Sequence, residues 1–181
     1  MKKVLKNYLL ISVTFLKNLF KALRVILKEV LNEDTEINNI SRILEERYLF
    51  FGETEMHFSA VLVKMNRNLL EIISLGHPRP ILLKNNKTKV IDMKVEYPVG
   101  WGFSGENRPH RILLEKGDSV YLFSDGITEI NTGDGFIGEV GLLEIIEESQ
   151  NLNDISEKAT SKNINPLQDD DISLIKISYL E

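Results

Sequence analysis

Apolar residues recur at alternating steps of four and three near the start of the chain: Leu9, Val13, Leu16, Phe20, Leu23, Leu27 and Val30. That spacing puts them on one face of an amphipathic α-helix ending near Leu31. Core packing explains such a stripe, and so does a short coiled-coil seam or dimer contact. Asn32 to Asn39 is polar and reads as a loop. Ile40, Ile43, Leu44 and Tyr48 then predict a second helix from Ile40 to Tyr48.

After that the period changes. Phe58 to Met65 and Leu69 to Leu75 are Val/Leu/Ile-rich runs around Asn66-Arg67-Asn68, a hairpin signal. Ile81 to Lys84 and Lys89 to Met93 predict a second hairpin around Asn85-Asn86. Gly100 to Gly105 is glycine-rich and reads as irregular. Arg111 to Glu115 and Ser119 to Ser124 flank a turn at Lys116-Gly117-Asp118. Asn131 to Gly138 is a loop, Val140 to Ser149 a helix, Asp154 to Lys162 a weaker helix, and Ile172 to Tyr179 a closing strand. Hairpins with helices grouped at the ends predict an α+β fold and not a doubly wound parallel sheet. The 181 residues show no internal repeat or linker, so a single domain is expected.

Composition narrows the chemistry. With no cysteine there is no disulfide, thiolate zinc site or Cys nucleophile, which is compatible with a cytoplasmic location. A net charge of -5 argues against nucleic acid as a partner. The charge is unevenly spread. Lys2, Lys3, Lys6, Lys17, Lys21, Arg24 and Lys28 precede the first acid, Glu29. Twenty-two bases less these seven leaves 15 against 27 acids, so a +7 segment precedes a body of -12. The uncharged stretch from Tyr8 to Leu16 is far shorter than the roughly 20 residues a membrane span needs, so no span is expected.

Two acidic segments are the candidate chemistry. Ser119 to Phe123 is a buried-type strand that runs into Ser124, Asp125 and Gly126. Asp125 there either points into a cleft from the sheet rim or begins a turn or short helix at Ile127. Gly126 permits a sharp exit and close backbone approach. Asp169, Asp170 and Asp171 lead into the last strand, and three adjacent carboxylates repel unless solvated or neutralised. Oxygen ligands of this kind suit Mg²⁺ or Mn²⁺. His77 sits in a Pro-flanked turn, while His57 and His110 read as surface residues. Trp101 reads as a core or loop anchor, with a pocket-lining role as the alternative. No nucleophile elbow, Walker or dinucleotide motif is present.

Tyr121-Leu122-Phe123-Ser124-Asp125-Gly126-Ile127-Thr128-Glu129 resembles the "lllyTDGvtEa" block of the SpoIIE-type branch of PPM metal-dependent protein phosphatases. Leu75-Gly76-His77-Pro78-Arg79-Pro80 is similar to that family's "AGHPPP". Phe58-Ser59-Ala60 is similar to "FaTa", Glu115-Lys116-Gly117-Asp118 to "l.pGD", and Asp170-Asp171-Ile172-Ser173 to "DDiT". The blocks keep family order from Phe58 to the end. The resemblance implies two packed, mainly antiparallel β-sheets flanked by helices, a PPM-like αββα sandwich lacking the N-terminal strands. It implies a protein serine/threonine phosphatase holding Mg²⁺ or Mn²⁺ through Asp125 and Asp170, with Asp170 the inward acid of its triplet. Gly126, Asp169, Asp171 and His77 are supporting candidates, His77 in a structural role. The implied substrate is a phosphoprotein such as an antagonist of an anti-sigma factor. Upstream family blocks such as "GDyyD" are absent from these 181 residues. A catalytically inactive relative acting as a protein-binding module is therefore the alternative.

Overall fold

The computed structural model describes residues 36–51, 57–102, 107–165 and 171–180. The helix expected up to Leu31 lies outside the described residues. The chain divides into two compact units, residues 1–77 with 94–113, and residues 78–93 with 114–181.

In the first unit, helix α1 (Ile37–Phe51) begins earlier and ends later than its apolar pattern alone marks. Ile37, Ile40, Leu44 and Tyr48 follow the helical repeat and are buried with Phe58, Ala60, Leu62 and Ile73. Tyr48 meets Phe58 edge to face at 5.2 Å. Burial, and then the charge of Glu45, push the Tyr48 phenol above its ordinary value. Strand β1 (Ala60–Asn66) pairs antiparallel with β2 (Leu69–Leu75) along its whole length. The expected start at Phe58 shrinks to one bridge, Phe58 to Val99. The tight loop at Arg67 and Asn68 places Arg67 at φ 55.

Two later strands share the other edge of β2. Separated in sequence by strands β3 (Ile81–Lys84) and β4 (Lys87–Val90) of the second unit, β5 (Val95–Glu96) runs parallel to it at Ser74 and Leu75. Strand β6 (His110–Leu113) runs antiparallel from Leu69 to Ile72. Strand β5 escapes a periodicity reading because it is two residues long. Gly76 secures it by donating its N–H to the Glu96 carbonyl at 2.8 Å. Gly76 has φ +66, and a Cβ there would lie 2.5 Å from Pro98 Cγ, so this position requires glycine.

Glu45 is 7% exposed on α1, and its carboxylate is fully engaged. It accepts the Gly100 N–H at 2.8 Å and the Gly102 N–H at 2.6 Å. Both glycines have positive φ, so the loop folds around the carboxylate. Trp101 between them is 50% exposed and stacks on Tyr97 at 5.8 Å. It is therefore a displayed ring and not a core anchor.

In the second unit the sheet order is β4-β3-β7-β8, where β7 is Ser119–Phe123 and β8 is Leu174–Ser178. The β3–β4 turn puts Asn85 and Asn86 at φ 53 and 58, the left-handed pair of a two-residue hairpin. That turn pairs Lys84 with Lys87, so β4 starts and ends earlier than the expected Lys89 to Met93. Helix α2 (Asp125–Thr128) follows β7, and α3 (Gly138–Glu147) and α4 (Leu152–Ser161) follow in turn. Asn151 caps α4 by accepting the Asp154 N–H at 3.0 Å, which moves its start ahead of the expected Asp154. Ile81, Tyr121, Phe123, Ile127, Leu142, Ile145 and Ile155 form the buried cluster between sheet and helices. The α+β expectation with two mainly antiparallel sheets holds.

Candidate functional site

Every residue of β7 is buried, because the strand lies between β3 and β8 in the sheet. Its side chains hold the strand in place, and whatever follows Phe123 is presented at the sheet's end. Ser124 is 3% exposed and makes three bonds to the chain entering β8. Its N–H donates to the Ser173 carbonyl at 3.0 Å. Its hydroxyl donates to the Asp171 carbonyl at 2.8 Å and accepts the Ser173 N–H at 2.8 Å. The pairing thus extends past the last ladder pair, Phe123 with Leu174.

Asp125 is the first residue of α2 and half-buried. Its carbonyl accepts the Glu129 N–H and the Thr128 hydroxyl, both at 2.9 Å. Those bonds fix the backbone and leave the carboxylate uninvolved. Among the described residues no hydrogen bond or ion pair ties that carboxylate. Gly126 is buried as the second residue of α2 and is not among the residues of positive φ, so the exit from β7 is a helical turn. Of the acidic triplet, Asp171 is exposed, and Asp169 and Asp170 lie outside the described residues.

The site's backbone frame is therefore Ser124 bonded to Asp171. Asp125 adjoins one member of that pair in sequence and Asp170 the other. Asp125 is one Cα step, about 3.8 Å, from Ser124. Sequence reading overlooked Ser124. The available signal was a hydroxyl between a buried strand and an acid, since a buried hydroxyl needs a partner.

As a donor set, oxygen carboxylates fit a hard divalent cation in kind. In number they are few: among the described residues no group of three His, Cys, Asp or Glu is placed to hold a metal. His77 belongs to the first unit. It is 3% exposed, and its carbonyl accepts the Ser74 hydroxyl at 2.6 Å. His57 is exposed, with its ring edge-to-face with Trp101 at 5.5 Å, and His110 is half-buried on β6.

The family described as Stage II sporulation protein E (SpoIIE) matches residues 13–180. The chain belongs to the SpoIIE family. Within the match to the phosphoserine phosphatase RsbU of Bacillus subtilis (strain 168), it is 54% identical over 35 residues. Those residues are 19% of this chain and 10% of RsbU, so the likeness spans a small part of that relative. The SiaA-PP2C domain of Pseudomonas aeruginosa superposes with a TM-score of 0.78 at 14% identity, covering 98% of this SpoIIE-family chain and 78% of that one. The catalytic domain of the serine/threonine phosphatase PstP, solved with two manganese ions, gives 0.62 at 11% identity, covering 89% and 80%. These structural likenesses concern the fold, which is that of PP2C-type phosphatase domains.

Proposed function

We propose that residues 1–181 act as one metal-dependent phosphatase-like domain that hydrolyses phosphoserine or phosphothreonine on a regulatory protein. The observation that carries this reading is the Ser124–Asp171 bond, which draws the Asp125 turn and the segment carrying Asp170 to one end of the sheet. Asp125 and Asp170 would hold Mg²⁺ or Mn²⁺, with Gly126, Asp169 and Asp171 as supporting residues and His77 structural. The RsbU match supports phosphoserine as substrate, and PstP's two manganese ions support a divalent cation. When bound, such a cation polarises phosphoryl oxygens and activates water. The chain's own contribution would be to position Asp125 at the end of β7 and Asp170 near it, since positioning does most of the work in phosphoryl transfer. A partner in anti-sigma-factor control fits the RsbU likeness. A cytoplasmic location fits a chain without cysteine, and among the described residues no helix is long and apolar enough to cross a membrane.

A second reading is a catalytically inactive domain that captures a regulatory protein. Phosphate release from a phosphoserine protein separates the two. The first reading expects Mn²⁺-dependent release that Asp125→Asn abolishes. Absence of release at millimolar Mn²⁺, with partner capture unaffected by chelator, contradicts it and supports the second.

A further inference from the structure

Arg79 brings a positive charge to the end of the sheet where Asp125 stands. Strand β3 pairs antiparallel with β7, Ile81 opposite Tyr121. Arg79 precedes Pro80, which favours extended backbone, and the Pro80 carbonyl accepts the Ile91 N–H at 2.8 Å. The register carried back two residues therefore sets Arg79 at the level of Phe123, one strand over, about 4.8 Å away. Asp125 follows Phe123 by two residues and opens α2. In the block resembling "AGHPPP", Arg79 stands where that block has its middle proline.

Strand alternation sends its side chain to the face that carries the helices. Ile81, two residues on, is buried there with Tyr121 and Phe123. Arg79 Nη2 lies 3.6 Å from Glu139 Oε2 at the start of α3, and the two side chains are 39% and 45% exposed. That separation exceeds the roughly 2.7–2.9 Å of a charge-assisted hydrogen bond, and an exposed pair of this length is weak. The guanidinium donors thus stay open to an incoming anion. Other bases on these strands are engaged elsewhere. Lys84, at the far end of β3, meets Glu115 at 2.7 Å and Asp118 at 3.7 Å, and Lys176 lies over the Tyr121 ring at 5.4 Å. A phosphoserine carries a charge of about −1.5 to −2 and three acceptor oxygens. Asp125 and Asp171, at the same sheet end, repel such a group. A guanidinium opposes that repulsion and offers two parallel N–H donors that match a phosphoryl group.

We propose that Arg79 binds the phosphoryl group presented to this site, exchanging Glu139 for phosphate oxygens. The inference rests on the phosphatase-like reading of the same sheet end and adds to it the residue that grips the substrate. Glu139 has the opposite effect: its carboxylate competes with phosphate for the guanidinium and is given up on binding.

Two measurements on the full chain test it. The first is a nuclear magnetic resonance titration with inorganic phosphate and no Mn²⁺, so that turnover does not enter. Arg79→Ala should weaken phosphate binding roughly tenfold, the loss expected for hydrogen bonds from a charged donor. Arg79→Lys keeps the charge without the fork and should fall between wild type and Arg79→Ala. Glu139→Ala should tighten binding roughly twofold, because the competing carboxylate is gone. A merely structural ion pair would make the Arg79 and Glu139 variants behave alike. Urea unfolding should show the same midpoint for all three. The second measurement is Mn²⁺-dependent hydrolysis of p-nitrophenyl phosphate, where Arg79→Ala should raise KM roughly tenfold and change kcat less. Phosphate binding that depends on Arg79, in a wild type without hydrolysis, supports the inference and contradicts the phosphatase reading. A wild type that binds no phosphate overturns the inference whether or not hydrolysis occurs. So does binding or KM indifferent to Arg79→Ala, or a Glu139→Ala variant that binds phosphate more weakly.

Discussion

Replacing Ser124 by alanine removes one oxygen and two hydrogen bonds from the strand end that frames the candidate site. The hydroxyl donates to the Asp171 carbonyl at 2.8 Å and accepts the Ser173 N–H at 2.8 Å, and the residue is 3% exposed. Each bond contributes about 1 kcal/mol net. Ser173 and Asp171 are both exposed, so water can reach the N–H and the carbonyl that the hydroxyl leaves. The two bonds together give a loss of about 2 kcal/mol in unfolding free energy. The lost bonds also free the segment carrying Asp170 from the one carrying Asp125, so apparent Mn²⁺ affinity should fall about tenfold, an effect of about 1.4 kcal/mol. Urea unfolding followed by circular dichroism reads the first quantity and calorimetric Mn²⁺ titration the second. Ser124→Thr retains the hydroxyl and should stay within about 1 kcal/mol of wild type. An alanine variant within about 0.5 kcal/mol of wild type, with unaltered Mn²⁺ binding, would refute the reasoning.

Glu45→Ala should destabilise by about 2–4 kcal/mol, because the Gly100 and Gly102 amides lose charge-assisted partners, while Glu45→Gln should retain about half. Thermal or urea unfolding reads both, and the Trp101 fluorescence should shift with the loosened loop. Leu44→Ala, at a fully buried α1 position, should cost about 2–5 kcal/mol in the same assay. Acid should also weaken the fold. The Thr88 backbone N–H, then its hydroxyl, hold the Glu147 carboxyl below its ordinary value, and the Gln150 N–H does the same for Asp154. A depressed carboxyl stabilises fully above its unfolded value and loses that contribution as pH falls through the folded one. Glu147→Gln should therefore lower the melting temperature at neutral pH, where that contribution is fully present, and flatten its decline below the ordinary carboxylate range. An equally steep decline in the variant counts against the assignment.

Much of this was legible from pattern. The strands β2 and β3 and the helix α3 carry apolar residues at strand or helix spacing, and such patterns specify an element wherever the partner lies. The Asn85-Asn86 turn was legible too, though the register it imposes shortened β4. What escaped was decided between distant residues. Strand β5 exists because Gly76 reaches Glu96, and Glu45 is buried because two glycines 55 and 57 positions away turn their amides toward it. Trp101 stands outward for the same reason. Asp125 was readable as an acid at a strand end. The hydroxyl beside it, which ties that strand end to the segment entering β8, has no periodic signature.

The central claim is that Asp125 and Asp170 serve one divalent cation. Calorimetric Mn²⁺ titration of the full chain, its Asp125→Asn and Asp170→Asn variants and the double variant tests it directly. The account predicts that each single change weakens binding at least about tenfold and that the double variant is little worse than either. Independent, additive losses, or binding that neither substitution disturbs, would contradict it.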